Sequence, residues 1–135
     1  MEEDDVTEIL ADLEGKNKAV AYDFLLKPFG YRHEVIEAVY TQKNYTQGAT
    51  RPDLVIKLVN QCEYRIEVKI NNTDLTHSEE RPATRDLFII PDNYCHKDKI
   101  PGKSKITTWG AFFNYCSQRG CNMLELNSLK SELGL

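Results

Sequence analysis

Between residues 54 and 70 the chain changes its hydrophobic rhythm. Leu54, Val55, Ile56, Leu58 and Val59 form a short apolar run rich in β-branched residues, the pattern of a buried strand. Asn60, Gln61, Cys62 and Glu63 interrupt it with a polar turn. From Tyr64 to Ile70 the chain alternates: Tyr64, Ile66, Val68 and Ile70 share one side, and Arg65, Glu67 and Lys69 share the other. That period of two marks a half-buried strand, so the two segments are expected to pair as a hairpin.

The flanking segments follow other periods. Val6, Ile9, Leu10 and Leu13 recur at helical spacing among acidic residues, and residues 4–27 are expected to form two helices. Asp4 or Asp5 suits the cap, Gly15 the break, and Pro28 with Gly30 the stop. His33 to Tyr45 reads as a first strand, Thr46 to Arg51 as the link into the central strands, and the polar stretch Asn44 to Thr50 as a loop that could touch substrate. Thr73 or Asp74 is expected to cap a short helix ending near Arg81, and Asp86 to Pro91 to form a buried strand. Asn93 to Lys105 reads as a loop with a turn at Pro101-Gly102. Thr107 or Thr108 is expected to cap a helix to about Gln118, with Trp109, Phe112, Phe113 and Cys116 on its apolar stripe. Met123, Leu124 and Leu126 would follow as a short strand or helix entry, with Asn127 or Ser128 capping a last turn. This order predicts one α/β domain over residues 1–135, a small mixed β-sheet flanked by helices.

Composition narrows the class. With 41% hydrophobic and 28% charged residues in 135, the chain reads as an ordinary globular domain. It holds no apolar run of membrane-spanning length and begins with acids, unlike a targeting peptide, so the cytoplasm is the expected compartment and no membrane partner is expected. The net charge of −4 is unevenly spread. Residues 1–14 hold seven acidic residues and no basic one, leaving 17 bases against 14 acids, a net +3, in the rest. Four cysteines in a chain of this type are expected to be free thiols. Cys95, His96, Cys116 and Cys121 do not have the spacing of a zinc site.

The candidate chemistry lies in the hairpin. Glu67 and Lys69 share a strand face, about 7 Å apart. Asp53 stands at the entry of the partner strand. If the loop is Asn60 to Cys62, Val59 faces Glu63, residue 53 faces residue 69, and Asp53 joins that face. A shift of one residue would send it to the opposite face. Two carboxylates suit a hard cation such as Mg²⁺ or Mn²⁺, and a neighbouring ammonium can orient or deprotonate water.

Pro52-Asp53, a spacer, and Glu67-Val68-Lys69 resemble the PD-(D/E)XK nuclease superfamily. The resemblance implies a restriction-endonuclease-like core with the motif on adjacent central strands. It implies that Asp53, Glu67 and the Val68 carbonyl bind Mg²⁺ and that Lys69 assists the nucleophilic water. It implies an endonuclease acting on phosphodiesters, DNA foremost. Many members add a glutamate from the first helix; Glu8, Glu14 and Asp23 are candidates here, Glu14 the preferred one, with Glu37 as a further auxiliary acid. Lys97, Lys99, Lys103 and Lys105 are the expected contacts to a nucleic-acid backbone, and Tyr94 or His96 could stack on a base. His33 reads as a turn or surface residue. A domain this small is expected to use a homodimer or partner protein to enclose a duplex. The alternative is a catalytically inactive module of the same fold that binds nucleic acid or a protein, including an inhibitor from a mobile element.

Overall fold

Alternation and helical periodicity each find their element in the computed structural model of the chain, which describes residues 3–42, 52–73 and 84–135. Four helices, α1 (Glu3–Asp12), α2 (Gly15–Leu26), α3 (Trp109–Gln118) and α4 (Met123–Glu132), accompany five strands. These are β1 (Ile36–Thr41), β2 (Leu54–Leu58), β3 (Glu63–Val68), β4 (Asp86–Ile90) and β5 (Lys105–Thr108). They form one sheet in the order β1-β2-β3-β4-β5. The first three run antiparallel; β3–β4 and β4–β5 are parallel. The protein is therefore a mixed α/β structure, and β3 is the strand where pairing changes sense.

The β2–β3 hairpin differs from expectation in its turn. Leu58 N–H donates to Cys62 O and Gln61 N–H to Leu58 O, both at 2.9 Å, so the loop is Val59–Gln61. Gln61 adopts a left-handed φ of 74°, the conformation that closes a three-residue hairpin loop. Lys57 pairs with Glu63 and Leu54 with Ile66. The register is thus displaced by two residues, which leaves every side chain on its expected face. Continued one step past Leu54, it sets Asp53 opposite Glu67 rather than Lys69.

The alternate residues of the sheet build the core. Leu54, Ile56 and Leu58 of β2, Ile66 and Val68 of β3, and Leu87 and Ile89 of β4 are solvent-free and cluster with side chains from all four helices. Trp109, Phe112 and Phe113 of α3 pack edge-to-face or stacked within it. Phe88, Ile90, Tyr94 and Ile100 form a second, smaller cluster; Phe88 is the β4 neighbour of Glu67. A carboxylate also enters the interior: Asp86 is fully buried and pairs with Arg65 Nε across β3–β4.

Several boundaries move. Lys105–Thr108, read as the end of a loop and a cap, is a fifth strand paired with Leu87–Ile90. The expected first strand begins later, after a 3₁₀ turn at His33–Val35. Thr108 caps α3 as expected, accepting from Ala111 N–H. The last helix is longer than expected and is capped by Asn122, not Asn127 or Ser128. The short helix expected up to Arg81, the link Thr46 to Arg51 and the loop Asn44 to Thr50 fall outside the described residues, apart from Thr73. No helix among the described residues is long and apolar enough to cross a membrane.

Candidate functional site

Three strands end together at the site. The register Thr41–Leu54–Ile66–Leu87 runs across β1 to β4. One step further along lies the row Gln42, Asp53, Glu67 and Phe88. Asp53 precedes β2 and follows Pro52, which has no N–H to offer a ladder. Its carboxylate takes the place of the next ladder acceptor: Val68 N–H donates to Oδ2 at 2.8 Å, and Gln42 Nε2 donates to Oδ1 at 2.9 Å. The Val68 carbonyl points to the same side of β3 as its N–H, as in any strand, and so toward β2.

Lys69 continues β3 by one residue and is fixed at both backbone ends. Its N–H donates to Ile89 O and its carbonyl accepts from Trp109 Nε1, each at 2.9 Å. Trp109 is the first residue of α3 and is buried. The side chain of Lys69 is largely covered, with Nζ 3.8 Å from Glu3 Oε2. Two strands and two helices therefore hold this corner, a rigid base for a small set of polar groups.

The auxiliary acid expected from the sequence is Glu14. Glu14 is exposed and stands at the start of α2. It is separated from Glu3 by the whole of α1, about 15 Å at the helical rise. The structure does not bring Glu14 to Asp53, and the first-helix acid that reaches the site is Glu3. The signal lay in the helical spacing: Glu3 precedes the buried Val6 and Leu10 by three and seven residues, on the stripe that faces the core. Asp23 and Glu37 also lie elsewhere, Asp23 against His33 and Glu37 against Lys57.

The Glu67 and Glu3 charges both act on Asp53, and Lys69 Nζ stands 3.8 Å from Glu3 Oε2. The Asp53 carboxyl is pushed from 3.8 up to about 8. Burial is the largest cause, the Glu67 charge the next, and Glu3 adds to both; the Val68 N–H works the other way. At neutral pH this carboxylate needs a proton or a cation beside it. Such a donor set, two carboxylates on adjacent strands, suits a hard divalent ion.

The lysine segment is less free than a bare loop. Lys97 and Lys99 belong to a 3₁₀ turn, Lys105 opens β5, and these three and Lys103 are exposed. The turn is tied to the chain just beyond Lys69: Tyr94 Oη donates to Thr73 O at 2.7 Å, and Cys95 N–H donates to Asn72 Oδ1 at 3.0 Å. Tyr94 is 3% exposed, so it is a packing residue and cannot stack on a base as it stands. Its interior position anchors the lysines to the end of β3. The four thiols are free, and Cys116 lies buried beside Cys121 with its thiol pushed up to about 12, first by burial.

No protein-family model matches the chain, and no curated protein or solved structure matches it either.

Proposed function

We propose that the protein is a Mg²⁺- or Mn²⁺-dependent nuclease of the PD-(D/E)XK type with a restriction-endonuclease-like core, hydrolysing phosphodiesters in DNA. The observation that carries this reading is the opposition of Asp53 and Glu67 on neighbouring strands, with Lys69 next on the same face. A helix ahead of three antiparallel strands, followed by a parallel one, supports it further.

In this scheme Asp53, Glu67 and the Val68 carbonyl hold the ion. Bound there, the cation supplies Lewis acidity toward the phosphate and acidifies its water. Val68 N–H and Gln42 keep the Asp53 carboxylate aimed at Glu67. Lys69 orients the attacking water and stabilises charge growing on the phosphate. Glu3 holds the Lys69 ammonium near the carboxylates and takes the auxiliary role first assigned to Glu14. Lys97, Lys99, Lys103 and Lys105 grip the nucleic-acid backbone, and a homodimer or partner protein completes the enclosure of a duplex.

The Glu3–Lys69 ion pair favours a second reading. If that contact keeps the ammonium permanently from water, the same fold acts as a catalytically inactive module that binds nucleic acid or protein. Cleavage assays on linear, circular and branched DNA and on RNA, with Mg²⁺ or Mn²⁺, separate the two. The nuclease reading expects turnover in wild type and a loss of at least about a hundredfold in Glu67→Ala and Lys69→Ala. Equal activity in all three proteins would refute it.

A further inference from the structure

A second constellation of metal-ligating side chains lies where α2 meets β1. Asp23 of α2 and His33 and Glu34 of the 3₁₀ turn bring one ligand atom each to within 4.8 Å of one another. The backbone fixes the arrangement, because His33 N–H donates to Asp23 Oδ1 at 2.7 Å. His33 Nδ1 then stands 2.8 Å from Asp23 Oδ1 and 2.8 Å from Glu34 Oε1.

One Nδ1 hydrogen can serve both oxygens as a three-centre bond, and Asp23 Oδ1, with two lone pairs, accepts the backbone N–H as well. The same spacing is near the ligand–ligand separation around a first-row ion with bonds of roughly 2.0 Å, about 2.8 Å in an octahedron and about 3.3 Å in a tetrahedron. An ion in the place of the hydrogen would draw these three atoms, already within 4.8 Å of one another, into one coordination shell.

The charges agree. Arg32 approaches Asp23 Oδ2 and Glu34 Oε1 at 3.6 Å each, but its side chain is 73% exposed and can swing into solvent. Two carboxylates thus face one exposed guanidinium across the cluster. His33 also borders a cavity of about 350 Å³ lined by Lys18, Tyr22 and Glu37.

We infer that Asp23, His33 and Glu34 form a binding site for a first-row divalent transition ion, Zn²⁺ or Co²⁺ rather than Mg²⁺. The imidazole nitrogen sets this preference, since nitrogen donors favour transition metals and Mg²⁺ demands oxygen. The site shares no residue with the Asp53–Glu67 pair and stands whether or not the protein is a nuclease.

The test is Zn²⁺ titration of the full chain, followed at the assigned imidazole nitrogens of wild type, alongside Co²⁺ titration by visible absorbance. Zn²⁺ moves the His33 ring resonances to saturation. The Co²⁺ band persists in an Asp53→Asn/Glu67→Gln double variant, while His33→Gln and Asp23→Asn weaken binding at least tenfold. His33 resonances unmoved at millimolar Zn²⁺ would overturn the inference, as would wild-type affinity in a folded His33→Gln protein. The wild-type measurement does not depend on any variant folding.

Discussion

The backbone N–H of Val68 donates a 2.8 Å hydrogen bond to Oδ2 of Asp53. A side chain thus replaces a main-chain acceptor at the end of the β2–β3 ladder, and it draws Asp53 against the strand that carries Glu67. The amide contributes to holding Asp53 ionised, but burial and the Glu67 charge outweigh it. Testable expectations follow from this buried carboxyl and from the contacts around it.

The first is a dependence on pH. The Asp53 carboxyl releases its proton at about 8 in the fold, against an ordinary 3.8. A raised value means that the folded state binds this proton more tightly than the unfolded chain does. The resulting stabilisation is complete below 3.8 and is lost as pH rises toward 8. Thermal denaturation of metal-free wild type should therefore show Asp53 lowering stability across that window, and Asp53→Asn should flatten the slope. Added Mg²⁺ should stabilise more at pH 8 than at pH 6, because it binds the deprotonated carboxylate. Parallel pH profiles for wild type and Asp53→Asn would contradict the assignment.

The second separates two glutamates. Glu3→Gln removes the carboxylate 3.8 Å from Lys69 Nζ and should lower kcat/KM for Mg²⁺-dependent cleavage roughly 10- to 100-fold, the usual cost of losing a group that orients a metal site. Glu14→Gln, exposed at the start of α2, should leave kcat/KM unchanged. The reverse order would restore Glu14 as the auxiliary acid.

The third concerns the anchor of Lys69. Trp109→Phe keeps the ring in the core but deletes the 2.9 Å bond from Nε1 to Lys69 O. Urea denaturation should register a loss of about 1–2 kcal/mol from the unsatisfied carbonyl and the smaller ring. No change in the unfolding midpoint would mean that Lys69 O finds another donor.

Much of this was legible along the chain, and the parts that were not share a cause. The alternation from Tyr64 to Val68 and the apolar run of β2 announced two paired strands because each has one period over its whole length. Their register was set by Gln61 in a left-handed turn; glutamine gives no local sign of that, unlike glycine or asparagine. The expected and observed registers differ by an even number of residues, so Asp53 keeps its face. β5 went unread because its four residues are half-exposed or exposed and its partner, β4, lies some 15 residues away. α4 was foreshortened because only Leu126 and Leu129 are buried in it. Glu3 was hidden in a run of acids that looked like a solvated face; only its alignment with Val6 and Leu10 marked it as inward.

The most direct measurement is a Mg²⁺ titration followed at the backbone amide of Val68. Asp53, Glu67 and the Val68 carbonyl hold one cation in this account, so the Val68 and Lys69 amide resonances should shift to saturation in wild type and stay fixed in Glu67→Gln. A Val68 resonance that does not move at millimolar Mg²⁺, in a protein whose spectrum shows it folded, would contradict the account.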